Sequence, residues 1–98
     1  MDRSSVIKTL RDNELELRAA GIAHLRLHGS VARGQETPAS DVDLIADFDS
    51  ERRFSLIDMV HLQGRLENLL GVPVDLSPAK TLKDPVRERA EREAVLAF

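Results

Sequence analysis

The 98-residue chain contains no cysteine, no tryptophan and no tyrosine. Without thiols it can form neither disulfides nor thiolate metal sites, a usage that fits a reducing cytoplasm. No stretch approaches the roughly 20 apolar residues that span a bilayer. The opening MDRSSVIKTL also lacks the apolar run of a signal peptide, so a soluble, cytoplasmic protein is expected. Lys and Arg form no run and the net charge is −3, which argues against extended nucleic-acid binding while leaving a single nucleotide open as a ligand. Internal repeats, linkers and low-complexity segments are lacking too, so residues 1–98 read as one domain. A domain of this size buries only about 60–65% of the surface its unfolded chain exposes. Its stability therefore rests on the packing of one small core.

Hydrophobic periodicity supplies the elements. Ser4 or Ser5 caps a first helix running through Val6, Ile7, Leu10 and Leu17 to a stop at Gly21. His24-Leu25-Arg26-Leu27-His28 alternates as a half-buried strand does, with the leucines on one face. In a second strand, Val42, Leu44, Ala46 and Phe48 share one face, while Asp41, Asp43, Ile45 and Asp47 share the other. Ser55 to Asp58 reads as the start of a helix whose stripe of Met59, Leu62, Leu66 and Leu69 ends before Gly71. Gly64 within it predicts close packing at that point. Val74-Asp75-Leu76 follows as a short strand entered through Pro73. Asp84-Pro85 then opens a last helix through Val86, Ala90 and Val95 to Phe98. The order is α-β-α(short)-β-α-β-α: an α/β (α+β) domain with a small, mixed, three-stranded sheet and helices on one face. The Asp41 and Asp75 strands enclose a βαβ unit, which predicts that they are parallel neighbours.

That topology gathers Asp41, Asp43 and Asp75 on the face turned away from the helices. Like charges held close repel, so such a cluster is a cost unless something offsets it. Carboxylate oxygens are hard ligands suited to Mg²⁺, which commonly binds one or two protein carboxylates together with substrate phosphates. Three acids suffice for two ions. The Gly29-Ser30 turn offers backbone N–H groups and a hydroxyl to a polyphosphate, and Arg33 a charge clamp. Gly29 and Gly34 also have P-loop spacing, but Gln35 and Glu36 stand where the Lys and Ser/Thr of a P-loop belong. The parts together describe nucleotidyl or phosphoryl transfer by a two-metal mechanism. Asp47 shares the face but reads as the polar exit of its strand. His24, Arg26 and His28 face the same side, where a strand histidine is more often solvated than functional, and the Arg/Glu pattern of VRERAEREAV reads as a solvated helix face.

Leu27-His28-Gly29-Ser30, ten intervening residues and Asp41-Val42-Asp43-Leu44 resemble the signature of the polymerase beta-like nucleotidyltransferase superfamily. The Gly-Ser-Val-Ala-Arg-Gly run, Ser40-Asp41-Val42-Asp43-Leu44, the late Val74-Asp75-Leu76 and the tail Arg92-Glu93-Ala94-Val95-Leu96 resemble its minimal nucleotidyltransferases (MNT). The resemblance covers nearly the whole chain and implies the nucleotidyltransferase fold. It implies that Gly29 and Ser30 bind the nucleotide, that Asp41 and Asp43 bind both metal ions, and that Asp75 completes one metal site and helps activate the attacking hydroxyl; Arg33 and Ser40 are further nucleotide-binding candidates. It further implies AMP transfer from ATP to a tyrosine of a HEPN-type toxin, with the chain as antitoxin. The small core and apolar helix faces leave a homo- or hetero-oligomer open. Two alternatives stay open: an antitoxin that neutralises its partner by binding alone, and transfer to a small molecule, for which this chain has no room for an acceptor domain.

Overall fold

The computed structural model describes residues 2–35, 41–49, 51, 54–81, 88 and 94–98. The N-terminal apolar stripe forms two helices, α1 (Arg3–Asp12) and α2 (Glu14–Ala19), rather than one. Asn13 makes the break: its Nδ2 donates to Thr9 O at 2.8 Å and its backbone N–H to Leu10 O at 3.2 Å. A short amide side chain competes with helix continuation in this way. The N-cap is Asp2, whose Oδ1 accepts the Ser5 N–H at 2.8 Å, two or three residues before the expected Ser4 or Ser5. Gly21 ends the second helix with φ +109°, a conformation open to glycine.

Among the described residues, four strands form one sheet, where three are predicted: β1 (Ile22–His28), β2 (Val42–Phe48), β3 (Val74–Pro78) and β4 (Val95–Leu96), in the order β3-β2-β1-β4. Between β1 and β2 lies the one-turn helix α3 (Gly29–Ala32), and between β2 and β3 the helix α4 (Leu56–Leu70). The β2–β3 pair is parallel, as the βαβ reading requires, and β1 runs antiparallel to both β2 and β4. The fourth strand replaces the end of the predicted last helix. Val95 and Leu96 pair with Leu27 and Arg26, and Ala97 N–H donates to Leu25 O at 2.8 Å. Pairing satisfies backbone groups along an edge of β1 that would otherwise be open, and it buries Ala97 and Phe98. The Arg18 guanidinium lies 5.0 Å from the Phe98 ring centroid. The predicted start of that helix at Asp84-Pro85 lies outside the described residues.

Register decides which residues share a face. Leu27 pairs with Leu44 and Leu44 with Leu76, and Val42 pairs with Val74. These side chains are buried with Leu25, and with Leu62, Leu66 and Leu70 of α4 and Val6, Leu10 and Leu17 of the N-terminal helices. Helix α4 begins at a complete capping box: Ser55 Oγ accepts the Asp58 N–H at 3.1 Å and Asp58 Oδ2 accepts the Ser55 N–H at 2.9 Å. It ends at Gly71, φ +72°. Among the described residues, no helix is long and apolar enough to cross a membrane.

Gly64 corrects the expectation of close packing, because a Cβ placed there meets nothing within 4 Å. The glycine therefore carries only its conformational cost in the helix interior. Gly64→Ala is expected to stabilise the protein by about 0.5–1 kcal/mol, read as a higher urea midpoint at unchanged slope. A destabilised variant would mean that α4 meets a surface there after all.

Candidate functional site

Strand β1 leads directly into α3, and the turn between them is shaped by Gly29. Its φ of +78° is a conformation that L side chains rarely adopt. A Cβ at this position would overlap Asp43 Oδ2, and it would lie 3.1 Å from Asp43 Cγ and 3.3 Å from its Cβ. Glycine is required twice here, once by the backbone and once by the neighbouring carboxylate. The four-residue α3 is too short to be stable alone. It is held by Val31 and Ala32, both buried in the core.

Asp43 sits at the centre of the predicted cluster. It pairs in register with Asp75 across the parallel β2–β3 ladder and with His28 across the antiparallel β1–β2 ladder. Neighbouring strands lie about 4.8 Å apart, so both partners flank it on one face. Burial pushes the Asp43 carboxyl up from its ordinary value, and repulsion from Asp75 adds to this, with a smaller push from Asp41. The charges of His28 and Arg33 act in the opposite direction. Asp41, immediately before β2, and Asp75 are exposed, while Asp43 is half-buried. The structure thus brings together Asp41, Asp43, Asp75, Gly29 and Arg33. Ser30 follows Gly29 in α3, and Ser40 lies outside the described residues.

Three features refine the sequence reading. His28 stands opposite Asp43 and acts on its charge, so it belongs to the site's immediate surroundings; its polar parity and position beside Gly29 were the available signals. Asp47 is not a further free carboxylate, because Arg26 Nη1 binds its Oδ2 at 2.7 Å. Ile45 is buried although it shares the face of the carboxylates, so that face is not uniformly open. A cavity of about 510 Å³, lined by Ala20, Phe54, His61, Leu62 and Arg65 among others, lies at the opposite end of the strands and contains none of the predicted site residues.

The carboxylate oxygens of Asp41, Asp43 and Asp75 are the ligand type preferred by a hard divalent cation. Asp43 is held against the glycine turn in a position where its charge is unfavourable, and a cation would relieve that repulsion. The residues therefore fit Mg²⁺. Among the described residues no three His, Asp or Glu side chains form a metal-holding group by themselves.

Comparison with known proteins gives a consistent result. Residues 5–97 match the nucleotidyltransferase domain family. The protein adenylyltransferase MntA of Thermococcus cleftensis is 37% identical over 89 residues, which cover 91% of this chain and 87% of that one. A solved structure assigned as a minimal nucleotidyltransferase superposes with a TM-score of 0.79 at 38% identity, over 97% of this chain and 95% of that one. A chain of the tri-AMPylated Shewanella oneidensis HEPN toxin in complex with MNT antitoxin shares the fold, with a TM-score of 0.67 at 15% identity over 94% of this chain and 71% of that one.

Proposed function

The chain belongs to the nucleotidyltransferase domain family, and from that premise we propose that it transfers AMP from ATP to a tyrosine hydroxyl of a HEPN-type toxin and thereby acts as its antitoxin. The observation that carries this reading is the placement of Asp43 between Asp75 and a glycine turn too close to it to admit a Cβ. Two carboxylates and a phosphate-binding turn then serve one reacting centre. We read residues 1–98 as a single catalytic domain of a cytoplasmic protein. The MntA relative, a protein adenylyltransferase, supports the choice of transferred group, and the fold shared with a toxin–antitoxin complex supports the choice of partner.

In this mechanism Asp41 and Asp43 would hold both Mg²⁺ ions with the triphosphate, and Asp75 would complete one of the two sites. When bound, Mg²⁺ supplies charge stabilisation to the attacking and leaving oxygens of an in-line displacement. Gly29 and Ser30 present backbone N–H groups, and Ser30 its hydroxyl, to the phosphates; Ser40 adds a second hydroxyl. Arg33, whose charge acts on Asp43, offsets phosphate charge. The Asp75 carboxylate takes the proton from the tyrosine hydroxyl as its oxygen bonds to the α-phosphorus. The bond from that phosphorus to the bridging oxygen breaks, and pyrophosphate leaves.

Intact-mass spectrometry of the HEPN-type partner, incubated with this protein, ATP and Mg²⁺, tests the reading. One or more AMP-sized increments are expected, and none when EDTA is present. A stable complex whose partner gains no mass under any of these conditions would replace the enzyme with an antitoxin that acts by binding alone.

A further inference from the structure

The one-turn helix α3 carries the Gly29-Ser30 turn, and its backbone accounting reveals a remote support. A helix leaves its last four carbonyls without partners inside the helix, and in α3 these are all the carbonyls it has. Arg33 N–H donates to Gly29 O at 3.2 Å, Gln35 N–H to Ser30 O at 2.8 Å and Gly34 N–H to Val31 O at 3.2 Å. Those three bonds come from the chain that immediately follows. The fourth carbonyl, Ala32 O, accepts from Arg3 Nη1 at 3.2 Å in a partly buried bond across 29 residues of sequence.

We propose that Arg3 is a positioning residue for nucleotide binding: its guanidinium closes the C-terminal end of α3 and so holds the Gly29-Ser30 turn against Asp43. The inference rests on the reading of that turn as the phosphate site. Arg3 is well placed for the task. It is the first residue of α1, whose N-terminus is fixed by the Asp2 cap and by Val6, which is fully buried. A cation at a helix C-terminus also complements the partial negative charge of the carbonyls there. Val31 and Ala32 anchor α3 by burial, which fixes where the helix sits, whereas the Arg3 bond acts on the carbonyl itself and limits how it rotates. The turn lies against Asp43, since a Cβ on Gly29 would overlap Asp43 Oδ2. Small rotations of α3 therefore change the direction of the Gly29 and Ser30 N–H groups relative to Asp43.

Arg3→Ala and Arg3→Lys separate this role from a general one in stability. Mg²⁺–ATP affinity by calorimetry is expected to weaken about 3–10-fold in Arg3→Ala, the scale of one partly exposed hydrogen bond to a charged donor. Arg3→Lys, which still donates to the carbonyl, is expected to stay within about 2-fold of the parent. Amide hydrogen exchange should accelerate at residues 29–34 in Arg3→Ala and remain at parent rates in β2 and α4. Unchanged exchange at residues 29–34 would overturn the proposal, as would acceleration spread evenly over the chain and not restored by Lys. If the parent itself fails to bind Mg²⁺–ATP, the nucleotide reading falls, while the exchange rates at 29–34 still decide whether Arg3 holds the turn.

Discussion

Asp41→Asn combined with Asp43→Asn is expected to reduce AMP transfer by at least about 10²–10³-fold, the loss that follows removal of a preorganised charge-stabilising group. The change leaves side-chain volume nearly constant and removes the two charges that would hold Mg²⁺ with the triphosphate. Stability should move the other way. The folded state raises the Asp43 carboxyl above its ordinary value of 3.8, by burial first and by Asp75 second. A raised pKa means that the folded protein holds its proton more tightly than the unfolded chain. The resulting stability is fully present below about pH 3.8 and is lost as pH rises through the folded value. At neutral pH the ionised carboxylate is thus a net cost, and Asp43→Asn should be as stable as the parent or more so without divalent cations. Below about pH 3.8 that advantage should vanish. Urea unfolding across this pH range, in EDTA, checks the sign.

The same variant should forfeit stabilisation by ligand. A ligand that binds only the folded state adds about 2.7 kcal/mol at 100 times its dissociation constant, and the parent should show such a gain with Mg²⁺–ATP. Asp43→Asn should show a much smaller one at the same concentration. If the variant is instead markedly less stable than the parent in EDTA at pH 7, Asp43 is a structural residue and the metal-binding role assigned to it fails.

Gly29→Ala carries the second large effect. Two costs combine: about 1–2 kcal/mol for a Cβ in a left-handed backbone conformation, and about 1–3 kcal/mol for forcing a side chain into occupied space. The occupied space is Asp43 itself, so the two residues should be energetically coupled. In a double-mutant cycle with Asp43→Ala, removal of the carboxylate relieves most of the overlap and leaves the backbone term. A coupling of about 0.5–3 kcal/mol is expected, with the double variant more stable than the sum of the singles. Transfer should be lost in Gly29→Ala even where the protein remains folded, because the Ala Cβ can be accommodated only by moving the turn or turning Asp43 away. Additive stabilities within about 0.3–0.5 kcal/mol would show that the close approach is not maintained in solution.

Much of this site is legible in the residues because its parts are local. Asp41 and Asp43 share a face by the two-residue period of a strand, and Gly29-Ser30 follows an alternating segment that ends where the strand must turn. Asp75 was reachable because a βαβ unit places its strand beside β2, and the observed pairing of Asp43 with Asp75 follows. Gly64, by contrast, shows the limit of a local rule. A glycine in an apolar helix signals a tolerated cost, and only the three-dimensional surroundings show that nothing presses against it. The misread C-terminus has a similar origin. The sequence from Val86 to Phe98 has helical spacing, yet Val95 and Leu96 gain a ladder with β1 that no local propensity records.

By itself, the sequence determined the three strands and the α4 helix that frame the site, the shared face of Asp41 and Asp43, and the family, since these depend on periods of two and about four residues and on a short motif. Only the tertiary structure decided what stands next to what. It placed His28 opposite Asp43, neutralised Asp47 with Arg26 and brought Arg3 to the last carbonyl of α3. Each of those outcomes depends on register or on a contact between residues distant in the chain. Their free energies come from pairings that exist only once the sheet has closed over its core.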